Sequence, residues 1–424
     1  MIHTENLILG AGFAGLGAAY RVRELGQNVL VVEQEESYGG LSGNFEIDGF
    51  RFDRFIHLAC TNNEQVNKIY QSSCGDDVIR HNPNPYNIYK RKWIKHPVQN
   101  NLYPLDQAEK DIIIRDFERR PDIANVSPDN YEEWLRASFG DYFAEHFPMV
   151  YTRKYWRLEA RELRTEWIGK RIYQPSIQEV IEGSNNPPKE TSYYVGNMRY
   201  PKSGGYKAFV KCIADSVDIL YSYKVVRIDA ENKCVYFSNG EIIQYNRIYS
   251  SIPLPEYAGL ILEIPQDVRE SISLLEYTSG YHVSIALKTR NIPPYLWWYI
   301  YDEDILASRV YSPSLKSPDN VPDGCSSLQM EVYCKKDEYT QKELYDGTVG
   351  KLIELGIIKQ DDILFTHFGF EKYANVTFTE PVYRARKIVR DWLGAFGVNT
   401  IGRFGEWEYL WSDQALVSGM SSVK

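Results

Sequence analysis

The sequence predicts a mixed α/β protein whose parts are interleaved along the chain rather than strung in series. A buried apolar run, a glycine-rich loop and a helical stretch open it, a long glycine-poor region follows, and segments of alternating polarity come next. Residues 5–9 (ENLIL) read as a buried strand, 14–25 as a helix stopped at Gly26, and 28–32 (NVLVV) as the next strand, which makes a βαβ unit. Residues 105–185 have no glycine between Leu102 and Gly140 and carry charged and aromatic residues at helical spacing, so they predict a mainly helical insertion. Residues 218–250 alternate as strands do, with Ser238-Asn239-Gly240 as a hairpin turn. Residues 280–300 and 325–335 predict further strands, and 339–356 and 383–395 predict helices. The segment GRFGEWEYLWSDQALVSG predicts a strand or loop that feeds a final helix.

Composition narrows the function classes. The 424 residues, 43% hydrophobic and 25% charged, fit a globular protein with a large core. A net charge of -9 argues against a nucleic-acid partner, because no uniform basic face is available to displace counterions. A few arginines can still make a local pocket for an anionic small molecule. The opening residues show no basic and apolar leader, and no run approaches the roughly 18 apolar residues of a membrane span, so a cytoplasmic protein is expected. Six scattered cysteines without CxxC spacing suggest neither a metal site nor a disulfide framework. The 33 tyrosines and 9 tryptophans serve either as core filler or as a stacking pocket that offers phenol hydroxyls, and composition does not choose between them.

The loop Gly10-Ala11-Gly12-Phe13-Ala14-Gly15 is GxGxxG between a strand and a helix. Its first glycine permits the tight turn, the second lets a pyrophosphate approach the backbone, and the third allows close helix–strand packing. The positive end of the helix then faces the phosphates. Glu33, followed by Gln34, closes the second strand, where a carboxylate accepts from both ribose hydroxyls and repels a 2′-phosphate, which disfavours NADP.

A second glycine turn, Ser37-Tyr38-Gly39-Gly40-Leu41-Ser42-Gly43, resembles the doublet of the FAD family that includes amine oxidases, protoporphyrinogen oxidases and UDP-galactopyranose mutases. Gly402-Arg403 with Asp413-Gln414-Ala415 resembles that family's C-terminal flavin motif, and Val225 stands where such proteins cover the adenine. The resemblance implies FAD as cofactor and a Rossmann-like, glutathione-reductase-like fold. The expected organisation is an FAD-binding domain of residues 1–95, 195–255 and 390–424, a helical substrate-binding insertion over 96–194, and an antiparallel-sheet substrate domain over 256–389. A helix starting near Gln414 would aim its positive end at the flavin pyrimidine.

Further blocks are similar to the mutases. They are the segment from His96 to Asn101 with Gln99, Tyr155-Trp156, Trp167 through Arg171, Asn197 with the turn Tyr200 to Gly205, Trp297 with Tyr299 and Arg309, and Gly402 to Tyr409. The resemblance implies that Arg171, Arg309, Tyr299 and Tyr409 hold a diphosphate and that His57 lies by flavin N5. It also implies that His96, Gln99, Tyr155, Trp167, Asn197 and Trp297 line a sugar-nucleotide pocket. Two guanidiniums suit that task because each offers paired charge-assisted bonds to phosphate oxygens. The departures fall on the substrate side: Phe55-Ile56 where the family has two glycines, His96 for a tyrosine, Trp411, and Leu315-Lys316. The implied activity is pyranose–furanose ring contraction of a nucleoside-diphosphate sugar, without net redox change, in polysaccharide precursor synthesis. Two alternatives stay open: an FAD-dependent oxidoreductase of the amine oxidase, desaturase or protoporphyrinogen oxidase kind, and a flavin-binding protein without catalysis.

Overall fold

The apolar run at the N-terminus forms the strand Ile2–Leu9, an inner strand of a seven-stranded sheet. This computed structural model describes residues 1–121, 123, 126–169, 171–187 and 198–424. Ile2–Leu9 pairs in parallel with Val29–Val32 and with Ile242–Ser250. Asp218–Leu220 and Val398–Thr400 extend the parallel part, and Val225–Asp229 and Cys234–Phe237 add an antiparallel edge. Parallel strands are covered on both faces, which is why ENLIL and NVLVV are nearly continuous apolar runs.

The N-terminal helix Phe13–Glu24 lies against the last helix, Ser412–Ser422, at backbone contact. A Cβ on Gly17 would sit 2.2 Å from the Leu416 carbonyl oxygen, and one on Gly419 would sit 1.9 Å from that of Ala14. Glycine is needed here for approach rather than for its dihedral freedom. The two ends of the chain therefore form one structural unit.

A second seven-stranded sheet has the order Ile363–Val376, Tyr277–Leu287, Ser326–Cys334, Arg309–Tyr311, Trp297–Ile300, Tyr86–Tyr89, Lys92–Lys95. Its pairings are antiparallel except between Trp297–Ile300 and Tyr86–Tyr89. The hairpin of residues 86–95, which the sequence groups with the N-terminal unit, thus belongs to the second sheet. Ile88 is pulled there because it shares one buried cluster with Trp298 and Val310. The strand Ser326–Cys334 is buried at all nine positions despite its serines, Gln329 and Glu331.

The expected insertion is helical, with Gln107–Arg119, Tyr131–Phe139, Asp141–His146, Pro148–Trp156 and Ile177–Asn185. The helices read at 339–356 and 383–395 are Gln341–Gly347, Val349–Glu354 and Glu380–Ala395. A fully buried ion pair, Lys316 Nζ to Asp53 Oδ2 at 2.5 Å, ties the helix Pro313–Lys316 to the strand Phe50–Asp53. Tyr200 donates to the same carboxylate oxygen at 2.8 Å.

Candidate active site

The glycine loop leaves the first strand with Gly10 at φ +98°, and the Gly10 N–H donates to Val32 O at 2.8 Å. A Cβ on Gly15 would lie 1.8 Å from Gly10 O, whereas one on Gly12 would meet nothing nearer than Gly40 Cα at 3.9 Å. Gly15 therefore serves packing, and Gly12 presents open backbone. The helix beginning at Phe13 and Ala14 has no side-chain cap and no acid in its first turn, so its amides are disposed toward an anion. Glu33 is buried, and its carboxylate accepts from Ala11 N–H at 2.7 Å and Glu35 N–H at 3.0 Å. Burial raises its pKa, and these amides oppose the rise.

Gln34 is exposed beside Glu33. The second glycine turn closes over the first: Gly39 N–H donates to Ala11 O at 2.9 Å, and a Cβ on Gly40 would come within 3.3 Å of Gly12 Cα. Ser42 is buried, and Leu41 packs against Phe55 and Tyr333. Tyr223 N–H donates to Glu33 O at 2.8 Å, which leads the chain past the acid into Val225.

The C-terminal motif meets the same loop. Gly402 has φ +75°, and a Cβ there would lie 2.4 Å from Ala14 Cβ. Asp413, Gln414 and Ala415 stand in the first turn of the last helix. That helix begins at Ser412, two residues before the expected start, because Gln414 Oε1 reaches back to the Trp411 N–H at 2.9 Å. His57 stands between the two ends. Its ring is 5.0 Å from that of Tyr206, which stacks on Phe13 at 5.6 Å and shares a 2.7 Å hydrogen bond with Ser412 Oγ. His57 Nδ1 is 2.9 Å from Phe55 O. A carbonyl can only accept, so Nδ1 carries the proton and Nε2 keeps its lone pair. Burial pushes the His57 pKa down to about 4, so the ring is neutral at pH 7.

Arg171 and Arg403 both lie against Tyr409, their guanidinium carbons 4.8 and 4.7 Å from its ring centre. Arg171 donates to Trp167 O at 2.7 Å and Tyr409 O at 2.9 Å. Arg403 donates to Asn375 Oδ1 at 2.5 Å and Leu410 O at 3.4 Å. Neither guanidinium is paired with a carboxylate among the described residues. The Tyr409 hydroxyl is 3.3 Å from that of Tyr155, which donates to Asn375 Oδ1 at 3.1 Å.

From Tyr155 an aromatic wall runs through Tyr151 (5.5 Å) and Tyr299 (5.5 Å) to His96 (4.8 Å). Arg309 stands beside this wall, 6.0 Å from the Tyr299 ring. It donates through Nε and Nη2 to Glu331 Oε2 at 3.0 and 2.6 Å. Glu331 is fully buried and also accepts from Tyr333 at 3.0 Å and Ile56 N–H at 3.1 Å. The two arginines expected to act together thus differ in charge balance. Arg309 is neutralised, Arg171 is not, and Arg403, expected on the cofactor, joins Arg171 at Tyr409.

The remaining expected residues are more embedded. Burial lowers the His96 pKa to about 3, and its Nδ1 is 3.1 Å from Asn87 Oδ1. The Gln99 amide donates to Tyr173 O at 2.9 Å. Trp167 is buried, donates to Arg164 O at 2.7 Å and packs on Trp156 at 5.1 Å. Trp297 is buried with Met198 and Tyr311. Asn197 lies outside the described residues. Sequence reading passed over Glu331, Asn375, Tyr151 and Tyr206. A glutamate set between Met330 and Val332 in an apolar strand was the one available signal, since a buried acid needs a cation.

Likenesses to known proteins agree with this fold. Residues 8–73 match the family described as NAD(P)-binding Rossmann-like domain. The chain superposes on reduced UDP-galactopyranose mutase with a TM-score of 0.91 at 21% identity, over 99% of this chain and 94% of that one. It superposes on a candidate protoporphyrinogen oxidase from Exiguobacterium sp. 255-15 with a TM-score of 0.75 at 14% identity, over 99% and 97% of the two chains. Putrescine oxidase bound to putrescine gives 0.66 at 14% identity, over 99% and 98%. A carotenoid 3,4-desaturase of Haloarcula japonica is 41% identical over 46 residues, 11% of this chain and 9% of that protein. The fold is therefore a mixed α/β one, with a Rossmann-like dinucleotide-binding unit joined to a second sheet-bearing region. It is the fold shared by UDP-galactopyranose mutase and flavin-type oxidases. Among the described residues no helix is long and apolar enough to cross a membrane, and no cluster of metal-ligand residues occurs.

Proposed function

We propose that this chain holds FAD between its two ends and acts as a nucleotide-sugar mutase, interconverting pyranose and furanose forms of a nucleoside-diphosphate sugar. The observation that carries the reading is the pair of uncompensated guanidiniums, Arg171 and Arg403, both against the Tyr409 ring beside the dinucleotide cradle. A charge ~5 Å from each cation, in surroundings of effective dielectric ~20, interacts by about 3 kcal/mol with each. That favours a diphosphate and opposes an ammonium substrate by a similar amount.

The cradle fits the cofactor. Gly12 offers bare backbone, Glu33 a carboxylate for ribose hydroxyls, Val225 an adenine cover, and the last helix a positive end. When bound and reduced, FAD supplies the nucleophile, its N5, that the side chains lack. The chain does the rest. Arg171 and Arg403 hold the diphosphate in place while the sugar ring is open, with the Tyr409 ring in contact with both side chains. Arg309 contributes only the guanidinium edge that Glu331 leaves unused. His57 Nε2 offers a neutral acceptor near the cofactor ring, and the tyrosine wall keeps water out. Such an enzyme would serve polysaccharide precursor synthesis in the cytoplasm.

One observation favours an amine-directed oxidoreductase. The wall of Tyr151, Tyr155 and Tyr299 could cage a cation. Flavin fluorescence separates the two. The mutase reading expects UDP, TDP or GDP to bind with an affinity that changes between oxidised and reduced protein. Absence of all nucleotide binding together with bleaching by an amine would reject it.

A further inference from the structure

The strand Ile363–Val376 pairs antiparallel with Tyr277–Leu287, and its register breaks beside Asn375. Between the pairs Thr278–Asn375 and Gly280–Glu371, one residue of one strand faces three of the other. Such a bulge bends a strand and re-aims the side chains beside it. Asn375 is 1% exposed, and its Oδ1 accepts from Arg403 Nη2 at 2.5 Å and from the Tyr155 hydroxyl at 3.1 Å. A guanidinium only donates, which sets the orientation of the amide. The Asn375 Nδ2 is then left buried without a hydrogen-bond partner among the described residues. The Tyr155 proton is given to Asn375, so the Tyr409 hydroxyl is the donor in its 3.3 Å contact with Tyr155.

A buried N–H left unmatched is destabilising. Aspartate has the same shape, would accept from both Arg403 and Tyr155, and would leave no donor unmatched. Asparagine is therefore the less stabilising choice at this position, and what it preserves is charge. Arg309 is held by the Glu331 carboxylate, whereas Arg403 is held by an amide oxygen and a carbonyl, and Arg171 by two carbonyls. We propose that Asn375 is the positioning residue that makes the Tyr409 site an anion site: it fixes Arg403 and Tyr155 through one neutral oxygen and leaves the Arg403 charge to the ligand. The inference rests on the diphosphate reading of that site and deepens it. Two cations held only by neutral oxygens suit a group with two or more negative charges, as a diphosphate has.

Isothermal titration of the FAD-loaded full chain with UDP and with inorganic pyrophosphate, alongside thermal melts, tests the proposal. Asn375→Asp should bind both anions about tenfold or more weaker, because its carboxylate takes up the Arg403 charge, and should melt at or above the wild type. Its pyrophosphate affinity should also depend less steeply on salt. Asn375→Leu, similar in size and uncharged, should lose about threefold and melt lower, because Arg403 and Tyr155 lose their acceptor. An Asn375→Asp protein that binds both anions as the wild type does overturns this inference alone. So does Asn375→Leu losing as much affinity as Asn375→Asp, because charge is then not what the asparagine protects. A wild type that binds neither anion overturns the inference together with the diphosphate reading.

Discussion

Gly419→Ala should weaken this protein's hold on its cofactor although the residue is about two turns from the start of its helix. The added Cβ would lie 1.9 Å from Ala14 O and 2.7 Å from Ala18 N, both backbone atoms that cannot rotate away. Relief to the 3.0 Å that real Cβ atoms require means moving the last helix outward by about 1 Å. Overpacking of this kind costs about 1–3 kcal/mol, and rigid backbone on both sides places this case at the upper end. The displaced helix carries Asp413 and Gln414, so the same shift opens the cradle between the two chain ends. If about 1.4 kcal/mol of that strain is released when the cofactor leaves, FAD affinity falls tenfold. Quenching of flavin fluorescence measures the dissociation constant, and a thermal melt reports the stability loss. Gly394→Ala is the control: it lies in the helix Glu380–Ala395 with no heavy atom within 4 Å of the added carbon, and should stabilise by about 0.4–1 kcal/mol. A Gly419→Ala protein that melts with the wild type and binds FAD equally well would refute the reasoning.

Three further outcomes follow from the site. Glu331→Gln removes the carboxylate from a partly buried guanidinium, and should lower stability in urea by about 2–3 kcal/mol, less than a sealed pair would lose because Arg309 keeps some solvent contact. Arg171→Ala should weaken UDP binding about tenfold or more with little change in melting temperature, because Arg171 has no carboxylate to leave stranded; isothermal titration checks the first and a melt the second. Protonation of the histidines should erode stability in acid. His57 titrates at about 4 and His96 at about 3 in the folded chain, against an ordinary value of 6.5 once unfolded, so below pH 6.5 the unfolded chain takes up more protons and stability drops as pH falls. Each contributes up to roughly 1.4 kcal/mol per pH unit until its folded pKa is reached, and denaturation curves of His57→Gln and His96→Gln should show a shallower slope between pH 6.5 and 4.

The cofactor side was legible because its chemistry is local. A glycine turn, an acid at the end of the next strand and a capped terminal helix each leave a signature within a few residues, and the fold brings Gly15, Glu33, Gly402 and Gln414 to one place. The substrate side was less legible because its arrangement is a property of partners distant in sequence. Arg309 and Arg171 look alike in sequence, yet Glu331, on the neighbouring strand, neutralises one and leaves the other. The strand Ile363–Val376 escaped notice because its apolar residues fall on both faces and Gly369 interrupts them. That glycine is required where the His282 ring sits, since a Cβ there would lie 1.8 Å from its Cε1.

Incubating dithionite-reduced, FAD-loaded protein with nucleoside-diphosphate pyranoses, and following furanose formation by chromatography, tests the proposed chemistry most directly. Exchange is expected with the reduced protein, little with the oxidised one, and a strong loss in Arg171→Ala. If no sugar nucleotide is converted while an amine or porphyrinogen reduces the flavin, the diphosphate reading of the arginine pair at Tyr409 is contradicted.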